Sequence, residues 1–333
     1  MNRCWLIVLL ANTCANLHAA QPEVVAGKLD HPMGVAVQPA TGDVFVSESG
    51  KGRIVRVVGG AVETAVAGFT PGTFGDEPSY QVSPLGLGFL GNGMLLAGTG
   101  DRPAGQDELL VLPIGAAGEK ARDLSAAATR YLVTSSDPAQ SGGNFTGICS
   151  TAKSVFAVCQ DSGDKGWMAR ISVQAGQAIS FERYLATSSA TGVASPYALT
   201  TSPRGDVIVS QIGKLRGGRD SHIAFFGAVN RQLLLDTTPG LYDVTGLAFG
   251  ADGQLYATDL AWEQPDQGGL FQIVSVLADG KQSAEARRVA TIERPTGLAA
   301  GKDGILYITS LGGGSAAVGS DTGTLWKFNP GPK

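Results

Sequence analysis

The chain has 333 residues, 43% of them hydrophobic and 16% charged, with 47 glycines and a formal net charge of −4. That much apolar material excludes a disordered chain, and the weakly acidic balance excludes a broad polyanion-binding surface, so no nucleic-acid partner is expected. Glycine this abundant without a three-residue period implies many tight turns rather than collagen, and the length suits one radial all-β unit.

At the amino terminus Arg3 precedes a short apolar run, Trp5 to Ala11, and His18-Ala19-Ala20 stands before Gln21. This pattern predicts a signal peptide over residues 1–20, and hence a secreted or periplasmic protein with one domain over residues 21–333. Neither this run nor any later one is long enough to span a bilayer. Cys149 and Cys159 remain after the signal. The hairpin register that follows offsets them by about four residues at roughly 3.3 Å each, too far for a disulfide.

Beyond the signal the chain repeats one phrase: a turn, a small residue, an apolar strand, a polar turn and a second apolar strand. Copies begin at His31, Ser83, Asn144, Ser195, Asp243 and Arg294. Gly34, Gly86, Gly147, Ala198, Gly246 and Gly297 hold the same place in them, about 50 to 60 residues apart, the period of a four-stranded blade. A small residue is expected there because the innermost strands crowd around an axis. Asp252-Gly253 and Asp303-Gly304 are hairpin chemistry.

Third strands are predicted at Arg53–Val58, Glu108–Pro113, Trp167–Val173, His222–Ala228, Leu270–Val276 and Leu325–Asn329. Fourth strands are predicted at Val62–Ala67, Ala128–Thr134, Ser180–Ala186, Gln232–Asp236 and Ala286–Ile292. The last copy ends after its third strand, while Pro22–Leu29 stands before His31-Pro32 as Ala286–Ile292 stands before Arg294-Pro295. The predicted fold is therefore all-β: a six-bladed β-propeller whose amino-terminal strand completes the last blade and closes the ring.

In such a ring the loops between second and third strands share a face with the links that lead into the innermost strands, and ligands usually bind at that channel mouth. The face carries Asp30, His31, Glu48, Lys51, Asp101, Arg102, Asp107, Asn144, Asp161, Asp164, Tyr197, Tyr242, Asp243 and Asp259. Blade four adds the loop Gln211–His222, where Lys214, Arg216 and Arg219 lie near Asp220 and His222. That loop reads either as an anion clamp or as a solvated rim. Trp262, in a polar loop of blade five, is either a stacking platform or a ring folded back over the blade edge. His31 and His222 are the histidines left after the signal, so a histidine base would have to be one of them. No Ser-His-Asp order and no zinc-spaced Cys/His cluster stands out.

The first copy, HPMGVAVQPATGDVFVSESGKGRIVRV, resembles the NHL repeat, and the fifth and sixth are similar to the same superfamily. That superfamily includes gluconolactonase and senescence-marker-type hydrolases, paraoxonases and strictosidine synthase-like proteins. The resemblance implies an axial divalent metal, calcium for example, held by a Glu near the first blade and Asn or Asp residues before later inner strands. The corresponding positions here are Asp30, Thr146, Tyr197 and Thr245, of which only Asp30 has a ligating carboxylate. Asp243, Asn144 or Asp259 would have to substitute from nearby. The first copy is also similar to soluble quinoprotein sugar dehydrogenases, which hold pyrroloquinoline quinone and calcium beneath longer loops than these. The expectation drawn is a monomeric binding module for a protein, peptide or carbohydrate at the loop face. The alternative is a propeller enzyme, a metal-assisted lactone or ester hydrolase or a quinoprotein-type sugar dehydrogenase.

Overall fold

A computed structural model describes residues 21–74, 80–102, 105–127, 129–132, 142–161, 165–278, 280–312 and 321–331. The expected signal peptide and Asp164 lie outside these residues, and so do Ala128 and the end of the fourth strand expected in blade two. Among the described residues no helix is long and apolar enough to cross a membrane.

Six antiparallel sheets form the ring. Blade one runs from its innermost strand outward as Pro32–Val37, Val44–Glu48, Arg53–Val58 and Ala61–Ala67. Blade three is Gly142–Ser150, Ser154–Asp161, Lys165–Gln174 and Gln177–Ala186. Blade six is Pro295–Ala300, Leu306–Ser310 and Gly323–Phe328, completed by Glu23–Leu29 from the other end of the chain. The pairs Glu23↔Lys327, Val24↔Trp326, Ala26↔Leu325 and Leu29↔Gly323 fix that closure. The expected third strands agree with the observed ones to within a few residues; two are longer, as Lys165–Gln174 and Gly269–Ala278.

Burial follows position within a blade. Second strands such as Val44–Glu48 and Leu255–Asp259 are buried at every residue, because both of their faces meet a neighbouring blade. Their near-continuous apolar runs are the sequence form of a strand covered on two sides. Outer strands such as Lys281–Ala290 are largely exposed. The core is thus a set of seams between blades. Phe45, Ile54, Leu95 and Leu110 fill the seam between blades one and two. Leu29, Val46, Val55 and Leu325 fill the one that closes the ring. Each fully buried side chain of this size contributes about 1.5–3 kcal/mol.

The repeated small residue has a specific cause. In blades one, three, four, five and six the pairing of first and second strands slips near this position, so the inner strand bends toward the next blade. A Cβ on Gly86 would lie 2.6 Å from the backbone oxygen of Thr146, and one on Gly297 2.7 Å from that of Met33. The collision is with the adjoining inner strand, not with the channel. A hydroxyl on the second strand stitches the same point. Ser47 Oγ accepts from Gly34 N at 2.6 Å and donates to Leu85 O at 2.7 Å. Ser210 does the same between Ala198 N and Val244 O.

Two additions have no counterpart in the repeat. Gly72–Phe74 and Tyr80–Val82 form a small hairpin between blades one and two, and Arg122–Asp123 adds a short parallel strand to the edge of blade one. Cys149 pairs with Phe156 and Cys159 with Phe145, so the two cysteines sit apart and are not joined to each other.

Candidate functional site

The link into the innermost strand bends sharply in blades one, two, three, four and six. His31, Ser83, Asn144, Ser195 and Arg294 all have positive φ, between 46° and 88°. This left-handed shape turns backbone N–H groups inward where water is absent, and each buried N–H needs an acceptor. The acids of the expected face supply them. Glu48, fully buried, accepts from Asp30 N at 3.0 Å, Lys51 Nζ at 3.1 Å and Arg53 Nε at 2.5 Å. Asp259 accepts from Asp243 N at 2.7 Å, Tyr242 N at 3.0 Å and Ala261 N at 3.2 Å. Asp243 accepts from Trp262 N at 2.7 Å. Burial raises the pKa of both aspartates, that of Asp243 to about 7, with the Asp259 charge adding to the rise.

The remaining expected residues are also engaged. Asp30 Oδ1 lies 2.8 Å from His31 Nδ1, and both side chains are buried. Asp101 accepts from Thr73 N, and Arg102 pairs with Glu108 at 3.1 Å. His222 Nδ1 is 2.8 Å from Asp236 on the neighbouring outer strand. Lys214, Arg216 and Arg219 are exposed, and Arg219 lies 4.9 Å from the Tyr242 ring centroid while donating to Gly240 O. Its guanidinium is thereby held at the rim.

The structure brings Asn144, Tyr197 and Trp262 together, and it does so around a space that the polar residues did not announce. A chamber of ≈ 170 Å³ sits at the axis beneath the loops. Its floor is the ring of residues preceding the small position, including Met33, Leu85, Thr146, Tyr197 and Thr296. Its roof is Ile212 and Leu215 from blade four, Leu260 and Trp262 from blade five, Leu311 from blade six and Val82 from the added hairpin. Trp262 is buried there, packed with Met33, Leu85, Leu260 and Leu311. Its ring thus faces the chamber. Polar groups line one side: Asn144, Gln160, Ser195 and Tyr197. Among the described residues no charged side chain borders the chamber. Below the floor a neck of ≈ 40 Å³ runs past the glycine ring to a wider opening on the opposite face.

The loop sequences held a signal for this roof: Ile212, Leu215, Leu260 and Leu311 are aliphatic residues in otherwise polar loops. The floor corrects one correspondence. In blade one the ring position is Met33; Asp30 lies outside it, against Gly50.

An axial divalent cation does not fit these residues. Met33 and Leu85 offer no oxygen. The hydroxyls of Thr146, Thr245 and Thr296 donate to Tyr197 O, Pro295 O and Pro32 O at 2.9, 2.8 and 2.6 Å, tying each blade to the next. A hard cation takes six to eight oxygens, with carboxylates among them. Among the described residues no three His, Cys, Asp or Glu side chains converge to hold a metal. Asp30, Asn144, Asp243 and Asp259 do not meet at a common axial point: of these four only Asn144 borders the chamber. Pyrroloquinoline quinone, a tricarboxylate, would meet no cationic side chain among the described residues that line this chamber.

No family model matches the chain, and no curated protein does. Solved structures do. A gluconolactonase from Xanthomonas campestris superposes with a TM-score of 0.59 at 11% identity, over 95% of this chain and 92% of that one. The aldose sugar dehydrogenase of Streptomyces coelicolor in its PQQ-bound form gives 0.56 at 16% identity, over 92% and 96%. The soluble aldose sugar dehydrogenase of Escherichia coli in its apo-form gives 0.57 at 15% identity, over 94% and 100%. The chain is a six-bladed β-propeller, with the architecture found in gluconolactonases and quinoprotein sugar dehydrogenases.

Proposed function

We propose that this protein binds a small, uncharged, largely apolar molecule in the axial chamber. The observation that carries the reading is a space at the convergence of all six blades, roofed by aliphatic side chains and Trp262, with polar groups on one side and no charged side chain among the described residues that line it. Enclosed apolar pockets with a few placed polar groups are how proteins hold small molecules. An apolar cavity of about 150 Å³ suffices to take up benzene. The occupant is thus a small molecule, in place of the protein, peptide or carbohydrate expected at the loop face. We read the chain as exported, on the strength of Arg3 and the Trp5–Ala11 run.

A second reading, that the protein turns its ligand over, draws support from neighbours that are gluconolactonases and sugar dehydrogenases. The residues present do not supply the metal or quinone chemistry of that alternative. A thermal-shift screen tests the proposal, because a ligand that binds the folded state raises the melting temperature. Uncharged one-ring compounds should raise it; gluconate, and pyrroloquinoline quinone with calcium, should not. The opposite pattern would overturn the reading.

A further inference from the structure

The chamber's polar side is selective in what it offers. Asn144 Oδ1 already accepts from Asp101 N at 2.7 Å, and Asn144 Nδ2 donates to Gln160 Oε1 at 3.3 Å. That pairing leaves the Gln160 amide with its N–H groups rather than its oxygen to give. Tyr197 projects from the floor of the same side. Its backbone oxygen is taken by Thr146, while its hydroxyl makes no hydrogen bond among the described residues. A phenol in an apolar enclosure gains most from an acceptor that arrives with the ligand.

We infer that Tyr197 is the specificity-determining donor of this chamber, receiving an uncharged carbonyl oxygen of a ligand whose apolar body lies against Trp262. The assignment rests on the chamber being the ligand site, as proposed above. Gln160 provides a second donor on the same side. Burial pushes the Tyr197 hydroxyl up to about 12, so it keeps its proton throughout the physiological range. A ketone, ester or amide oxygen satisfies both donors without bringing in a charge, whereas a carboxylate would meet no cationic side chain among the described lining residues.

Acetophenone and ethylbenzene, nearly equal in shape and differing in one carbonyl oxygen, separate the possibilities. Titration calorimetry on the wild-type chain should show acetophenone binding more tightly. Tyr197→Phe should weaken acetophenone about threefold to tenfold, the range of one net hydrogen bond, and leave ethylbenzene unchanged. Trp262→Ala should weaken both. If Tyr197→Phe binds acetophenone as tightly as wild type, the donor role is overturned while the chamber reading stands. If neither compound binds the wild-type chain, both fall.

Discussion

Leu29→Ala tests the closure of the ring through a single side chain. Leu29 is 1% exposed and sits in the seam between blades six and one with Val46, Val55 and Leu325. Buried Leu→Ala changes cost about 2–5 kcal/mol, more where the surroundings cannot collapse into the vacated space. Both walls of this seam are sheets held in a closed ring, so little collapse is available and the upper half of that range, about 3–4 kcal/mol, is expected. Val24, on the same strand but 59% exposed, is the control. Its replacement by alanine should stay within about 0.5 kcal/mol. Urea unfolding followed by circular dichroism reads both as shifts in midpoint at constant slope. Equal effects of the two substitutions would refute the seam, and with it the claim that Glu23–Leu29 is an integral strand of blade six.

Two further predictions concern the braces. Glu48→Ala leaves the Asp30 N–H without its acceptor and releases Lys51 and Arg53, which are partly exposed and regain water; the expected loss is about 2–3 kcal/mol. Glu48→Gln retains an acceptor for Asp30 and should cost clearly less, and equal losses by urea unfolding would refute the bracing role. For Asp243 the folded-state value near 7 exceeds the ordinary 3.8, so the folded chain holds a proton that the unfolded chain releases. Stability should therefore decline as pH rises from about 4 to about 7 and level off above, since it falls wherever the unfolded state binds fewer protons. Asp243→Asn keeps an oxygen for Trp262 N and should flatten that decline in melting curves; an unchanged pH profile would show that Asp243 does not carry it.

The fold was legible because one phrase recurs, and because its small residue and polar turns have few other uses. Closure was legible from what the sixth copy lacks. The site was legible only in part. Loop position within a blade tells which face a residue is on, and of the residues read on that face Asn144, Tyr197 and Trp262 border the chamber. It does not tell where a side chain turns. Glu48 and Asp259 turn into the blade, because the backbone bends beside them expose N–H groups that only a side-chain oxygen can satisfy. Blade one misled for a related reason. Asp30 has the right chemistry for an axial ligand, but the residue adjoining Gly34 is Met33, and adjacency to the small residue decides which side chain reaches the floor.

The uncharged chamber follows from the same backbone geometry. Links with a left-handed residue gather unsatisfied N–H groups near the axis, and carboxylates are drawn to them. Once Asp259 accepts three such bonds and Glu48 is flanked by Lys51 and Arg53, their charge is spent within the blade. The threonines of the floor spend their protons on the next blade's carbonyls in the same way. Polar capacity at the axis is thereby largely consumed by holding blades together, and half of the described side chains facing the chamber are aliphatic, with Tyr197, Gln160 and Ser195 as described donors not yet committed. On the function proposed above, a propeller braced in this manner would discriminate by shape and by one or two hydrogen bonds, because the described charges near the axis are already used to build the ring.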